Sequence, residues 1–358
     1  MKKLNVAILG QGRSGWKIHG KAMLNAADMF ETVAIVDPIK DRRDKAAGRY
    51  GKDIDTYADY TGILDRDDID LVINATPSYL HVETTKDLME HGFNVLCDKP
   101  LARKESEVQL LIDTARKNNV GFYIFQQSRF AGFFTEIRKI IESGKLGRII
   151  QISISYSGFA RRWDWQTVQA FNGGSLLNTG PHPMDQALQL FGEGEPDVLC
   201  FMDRVNTFGD AEDYVKVILS GEGKPVIDLE VSSCKPYNFF TYNIQGSNGG
   251  LTATMDKINY KYIKPEECAE QSLIKTPLED DEGEPAYCFE ELKWYEEEWK
   301  LESEEFGTFA DMTGSYYKML HGHITEGKEL VVTPEQVKKQ IRVIEECHRQ
   351  NPMDRFAE

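Results

Sequence analysis

Apolar positions in the first third of the chain fall in short unbroken runs, separated by longer amphipathic stretches. Asn5–Leu9, Thr32–Val36, Ile69–Ile73, Phe93–Leu96 and Gly121–Phe125 read as buried strands. The stretch ending at Leu24, Asp41–Arg49, Val82–Glu90 and Glu105–Lys117 carry helical spacing, and His91-Gly92 supplies a helix stop. Strands separated by helices imply right-handed β-α-β units and a parallel sheet.

The pattern changes near residue 128. Phe134–Glu142 reads as a helix halted by Ser143-Gly144. Arg148–Tyr156, Asp213–Leu219, Val226–Val231 and Tyr242–Gln245 read as longer strands. Some alternate polar and apolar, as an antiparallel sheet with one covered face does. Pro334–His348 reads as a closing helix with Thr333 as N-cap and proline in its first position. No repeat or low-complexity linker intervenes, so the reading is two abutting domains, residues 1–127 and 128–358.

Composition narrows the function. The 358 residues include 42 basic and 58 acidic side chains, a net charge of −16. That balance argues against nucleic acid as a partner, because phosphate binding is driven by clustered Lys and Arg. It also disfavours an anionic membrane surface. No apolar run approaches the ~18 residues of a membrane span, and the apolar Val6–Leu9 is too short for the core of a signal peptide. Six cysteines are scattered without a C-x-x-C pair, which suggests free thiols in a reducing cytoplasm. No metal site is expected. Glu279–Glu305 holds 13 acidic and 2 basic residues and reads as a solvated loop and helix face, with Tyr295 and Trp299 packing from one side of that helix.

Gly10, Gly12 and Gly15 form a G-x-G-x-x-G pattern, with Arg13 and Ser14 between the last two. It follows a strand and opens a helix, the context a dinucleotide fingerprint requires. Gly10 makes the tight turn, Gly12 admits the pyrophosphate to the backbone, and Gly15 allows close helix–strand packing. The anion then meets unpaired N–H groups at the positive end of a helix. Asp37 ends the second strand, 22 residues beyond Gly15. A carboxylate there accepts from ribose hydroxyls and repels a 2′-phosphate, which favours NAD over NADP. The nearby Lys40, Arg42 and Arg43 weaken that preference.

Further segments fall into a familiar order. They are Asn74–His81, Cys97–Ala102, Ser128–Phe130, Ser143–Gly147, Gly173–Asp185 and Val332–Glu335. Together they resemble the family of glucose–fructose oxidoreductase, inositol dehydrogenase and MocA, from residue 4 to about residue 350. The resemblance implies a Rossmann domain followed by an α+β domain with a large, mostly antiparallel open sheet. It also implies a homo-oligomer, dimer or tetramer, formed through that sheet. The family's catalytic lysine falls on Lys99, and Asp98 stands in place of the usual glutamate before it. The family's D-x-x-x-H pair falls on Asn178 and His182. The histidine is retained, but an amide cannot take up a proton. By the same resemblance Thr76, Pro77, His81 and Asp98 border the cofactor, and Gln127 reaches its nicotinamide end.

The expected activity is hydride transfer from a secondary hydroxyl of a sugar, glycoside or cyclitol to NAD. The Gly173–Asp185 variant looks like that of bacterial members acting on glucosides, at C3. His182 is the expected base, since an ordinary imidazole titrates near neutrality. Lys99 is expected to hold the hydroxyl and stabilise alkoxide charge, and is the rival base. Asn178, Arg162, Trp163, Asp185 and Tyr156 are candidate substrate contacts. Two rival readings stay open: a redox-neutral, NAD-requiring glycosidase, and a catalytically silent NAD-binding regulator.

Overall fold

The computed structural model describes residues 2–51, 54–301 and 309–352. Its first sheet contains β1 (Leu4–Leu9), β2 (Phe30–Val36), β3 (Asp55–Tyr57), β4 (Leu71–Asn74), β5 (Val95–Cys97) and β6 (Phe122–Ile124). The strand order is β3-β2-β1-β4-β5-β6, and every pairing is parallel. Helices α1 (Gly20–Asn25), α2 (Lys40–Tyr50), α3 (His81–Glu90) and α4 (Glu105–Asn118) connect the strands. A π-helical turn, Ser14–His19, leads into α1. The sheet is covered on both faces, so β4 and β5 are buried at every residue, which is why they read as plain apolar runs. The strand order reverses between β1 and β4, where ligands of such sheets sit.

The second half begins with α5 (Gly132–Glu142) and β7 (Ile149–Ser157). Then come α6 (Ser175–Asn178), α7 (Pro181–Phe191), β8 (Asp197–Asp203), β9 (Tyr214–Ser220), β10 (Val226–Ser232), β11 (Tyr242–Gly246), β12 (Gly249–Ala253) and β13 (Lys257–Tyr262). A small hairpin, β14 (Leu278–Glu279) with β15 (Pro285–Ala286), precedes β16 (Tyr295–Lys300). The eight-stranded sheet runs β16-β13-β12-β11-β7-β10-β9-β8, antiparallel except for β7 with β10. Buried residues such as Ile154, Val217 and Leu229 face the helices. The other face is open, with Leu199 and Phe201 exposed on β8.

The acidic stretch departs from the expected helix. Tyr295 and Trp299 lie on β16, opposite Tyr262 and Ile258 of β13, and pack on the core from a strand. Three successive glutamates, Glu296 to Glu298, hide the alternation. Two of them are matched by lysines, with Lys145 Nζ 2.6 Å from Glu297 and Glu298 paired to Lys257 and Lys300. The end of that stretch, Glu302 to Glu305, lies outside the described residues.

Two closing helices, α8 (Phe309–Glu326) and α9 (Pro334–Gln350), return to the first half. Tyr317 Oη lies 2.7 Å from His19 Nδ1, and Tyr316 donates to the Ile124 carbonyl at 2.7 Å. The Glu105 backbone N–H, at the start of α4, donates to Glu345 on α9 at 2.7 Å. Thr333 caps α9 as its sequence implies, accepting from the Gln336 N–H at 3.3 Å.

Candidate active site

A cleft of about 1260 Å³ runs from the strand-order reversal to the front of α7. Its inner end is shaped by the glycines. Gly10 has φ +82°, and a Cβ there would sit 2.4 Å from the Ala75 carbonyl oxygen. A Cβ on Gly15 would come within 1.7 Å of the Gly10 carbonyl, so the turn and helix pack only with glycine. Gly12 has nothing within 4 Å of a Cβ position, leaving its backbone open to a ligand. Asp37 is buried. One oxygen accepts from the Gln11 N–H at 2.7 Å and the other from the Ile39 N–H at 2.9 Å, with Arg42 at 3.6 Å. It thus serves as both turn cap and cleft wall. Gln127, beyond β6, is buried in the same cleft with its Oε1 unpartnered. Open backbone at Gly12, a carboxylate at Asp37 and an orphan amide oxygen at Gln127 match the pyrophosphate, ribose and carboxamide of NAD.

Arg13, Ser14, Thr76 and Pro77 line this end. Ser14 donates to Asp98, which also accepts the Lys99 N–H at 2.8 Å and lies 3.6 Å from His19. Burial alone would raise the Asp98 pKa. His19, then Lys99 and Ser14, reverse that and hold the carboxyl well below its usual range. Asp98 therefore ties the glycine loop to the lysine loop. His81 borders the cleft, but both its ring nitrogens are committed: Nδ1 to the Pro100 carbonyl at 2.7 Å, Nε2 to that of Thr76 at 2.9 Å. It staples two loops together, and neither nitrogen is left to hydrogen-bond a cofactor.

Lys99 and His182, one from each half of the chain, line the same cleft with Asn178 between their loops. Lys99 Nζ donates to the Asn178 carbonyl at 2.8 Å. Burial lowers its pKa; Asp98 opposes that, and the charges of Arg13 and Arg162 add to it. His182 Nδ1 lies 3.2 Å from the Ser128 hydroxyl. Burial, then the charge of Lys99, push this imidazole down to about 3, so it is neutral at physiological pH.

Beside them a second cavity of about 290 Å³ opens, lined by Tyr156, Arg162, Gln166, Asn178, Thr179 and Glu212 among others. Arg162 borders both spaces and is held by Asp164, at 2.9 and 2.8 Å, and by Gln166 at 2.6 Å. Tyr156 donates to Gln186 at 2.8 Å. Glu212 is buried. One oxygen accepts from the Leu176 N–H at 3.0 Å, at the start of α6, and Oε2 has no partner. Burial pushes its carboxyl up to about 7.

The structure separates two candidates from the pocket. Asp185 lines neither space. Its carboxylate is buried against Arg129, at 3.0 Å from Nε and closer to the second nitrogen, and it anchors α7 instead of touching substrate or His182. Its partner lies 56 residues away in sequence, so the expected substrate contact gives way to an ion pair that no local pattern announces. Trp163 stands outside the cavity lining, at the rim. Sequence reading missed Ser128 as the neighbour of His182 and missed Glu212, which passes for an ordinary charge at the head of a strand. It also missed the Tyr79–Phe171 ring pair, 5.3 Å apart across the cleft.

The family comparisons agree with this architecture. The model described as "Oxidoreductase family, NAD-binding Rossmann fold" matches residues 4–125, and that of the "GFO/IDH/MocA C-terminal domain" matches residues 134–252. Rhizopine catabolism protein MocA of Rhizobium meliloti is 29% identical over 59% of this chain and 64% of its own. The scyllo-inositol 2-dehydrogenase (NADP(+)) IolW of Bacillus subtilis is 27% identical over 96% of this chain and 92% of its own. Levoglucosan dehydrogenase of Pseudarthrobacter phenanthrenivorans is 30% identical over 54% and 52%. An uncharacterized oxidoreductase of Schizosaccharomyces pombe is matched over only 53% of its length, and MocA over less than two thirds. An NAD-binding protein from Listeria innocua superposes with a TM-score of 0.79 at 22% identity, covering 98% of this chain and 97% of that one. The WlbA dehydrogenase from Bordetella pertussis, in complex with NADH and UDP-GlcNAcA, gives 0.75 at 18%, covering 98% and 95%. At those identities the likeness is one of fold. One matched model falls in each half of the structure, and the chain belongs to the GFO/IDH/MocA oxidoreductase family, with an NAD-binding Rossmann fold as its first half.

Proposed function

We propose that the protein is an NAD-dependent oxidoreductase acting on a secondary hydroxyl of a sugar, glycoside or cyclitol. The observation that carries this is the meeting of Lys99 and His182, from separate halves, on one cleft beside a polar cavity. Bound NAD supplies the oxidising equivalent; the chain's own groups hold the alcohol and move its proton. Lys99 accepts the hydroxyl proton and, as the ammonium so formed, stabilises the charge that develops on the reacting oxygen. The drop of His182 to about 3 makes it a weak proton acceptor, which favours Lys99, its own pKa lowered by burial, as the base. His182 then orients the hydroxyl as a neutral imidazole, and the Asn178 carbonyl fixes the ammonium. Asp37 favours NAD over NADP by repelling a 2′-phosphate. The likeness of the Gly173–Asp185 motif to members acting on glucosides supports C3 of a glycoside as the reacting position. The apolar residues Leu199 and Phe201 on the open sheet face support a homo-oligomer.

The test is a screen of glucosides, free sugars and inositols with NAD, following NADH absorbance. Net NADH must accumulate, which separates this reading from a redox-neutral glycosidase. The rate should rise with pH through the Lys99 pKa, because only the neutral amine accepts a proton. Lys99→Ala should cut turnover at least ~100-fold and remove that pH limb. NADH binding without turnover of any such substrate, or near-normal rates in both Lys99→Ala and His182→Ala, overturns the proposal.

A further inference from the structure

The mouth of the polar cavity carries aromatic surface that no described residue covers. Phe159 and Trp163, on the loop after β7, are 61% and 78% exposed, and Phe208, on the loop after β8, is 62% exposed. The loops after β7, β8 and β10 leave one end of the sheet, because those three strands run in the same direction. Backbone bonds tie them together. Phe208 N–H donates to the Arg162 carbonyl at 2.9 Å, and Lys235 N–H donates to that of Gly158 at 2.9 Å. The Asn206 amide donates to the Ser233 carbonyl at 3.1 Å. Trp163 and Phe208 meet edge to face with centroids 6.4 Å apart, and the Arg161 guanidinium lies 5.1 Å from the Phe208 ring centre. Phe159, Arg162 and Thr207 also line the cavity, so the aromatic rim begins where the polar wall ends.

Exposed aromatic clusters of this kind mark interaction sites. The cavity floor offers hydroxyl, amide and carboxyl groups to one polar ring. The rim offers flat apolar faces with a cation beside them, which suit the C–H face of a second pyranose or an aryl group. The rim lies at the strand ends, away from the open sheet face that a second copy of the chain would cover. Resting on the oxidoreductase reading above, we propose that Phe159, Trp163 and Phe208 form a second subsite for the unit attached to the reacting sugar. The substrate is then a glycoside in preference to a free monosaccharide.

The experiment uses the NAD-loaded protein with glucose, myo-inositol, methyl β-glucoside, phenyl β-glucoside and cellobiose. For the native protein, kcat/KM on phenyl glucoside or cellobiose should exceed that on methyl glucoside by about 10-fold, the scale of one ring stack. Preference for phenyl glucoside identifies an aryl unit, and preference for cellobiose a second sugar. Trp163→Ala and Phe208→Ala should bring the ratio to about one. An absent advantage, or one that survives both substitutions, overturns the subsite while leaving the oxidoreductase reading intact. So does turnover confined to glucose or to inositols. A change of oligomeric state in these variants on size-exclusion chromatography also overturns it, assigning the rim to a second copy of the chain. Failure of every substrate to reduce NAD removes both proposals together.

Discussion

The two ends of the cleft follow opposite plans. At the cofactor end most polar groups, Gln127 Oε1 apart, are already engaged by the protein: Asp37 by Gln11 and Ile39, Asp98 by Ser14 and Lys99, His81 by Thr76 and Pro100. At the substrate end groups are left open, such as Glu212 Oε2 and the uncovered rings of Trp163 and Phe208. Internal bonds at the first end fix a geometry before any ligand arrives, which cuts the ordering cost of binding. The second end leaves its polar capacity for whatever enters. A shared cofactor tolerates the first plan, and a particular substrate requires the second.

The comparison can be broken most severely at the base of α7, which carries His182. Asp185→Ala leaves Arg129 buried without its counter-charge and should destabilise the fold by about 3–5 kcal/mol in urea denaturation. A loss below about 1 kcal/mol would mean that the pair does not anchor the substrate end. A subtler probe is the pH dependence of stability. Glu212 binds its proton more tightly in the folded protein, with a pKa of about 7, than in the unfolded chain, where 4.5 is ordinary. Its stabilising contribution is therefore complete below the unfolded value and is lost as pH rises through about 7. Glu212→Gln should flatten that decline, with a difference of about 2–3 kcal/mol between about pH 5 and pH 8. An unchanged slope would show that Oε2 is not an uncompensated site. The smallest effect is expected at the cofactor end. Asp37→Ser should shift the ratio of NAD to NADP use by about 10-fold, or roughly 1.4 kcal/mol. An unchanged ratio would mean that the ribose is read by other groups.

The same contrast explains what the sequence disclosed. The cofactor end is local: a strand, three glycines and an acidic residue within one β-α-β unit, so residues 5–37 suffice to place it. Lys99 and His182 were found only through the ordered motifs around them. Their immediate surroundings escaped notice, because Ser128 and the Asn178 carbonyl reach them from segments more than fifty residues away. Among elements, β8 eluded the pattern because both its faces are apolar, Cys200 and Met202 inward and Leu199 and Phe201 outward. Helix α8 includes Gly314 and Gly322, which weaken the helical signal, while its fully buried Tyr316 and Tyr317 show that packing decides the outcome.

The seam between α8 and the first sheet bears on how the molecule is made. The nucleotide-binding half is contiguous in sequence and leaves the ribosome early, yet the partners of His19 and Ile124 are Tyr317 and Tyr316. A nascent chain paused after β16 would hold a Rossmann sheet with one flank unsealed. Maturation of the first half therefore waits on synthesis of the second, and cutting the chain between the halves would expose a wound in each.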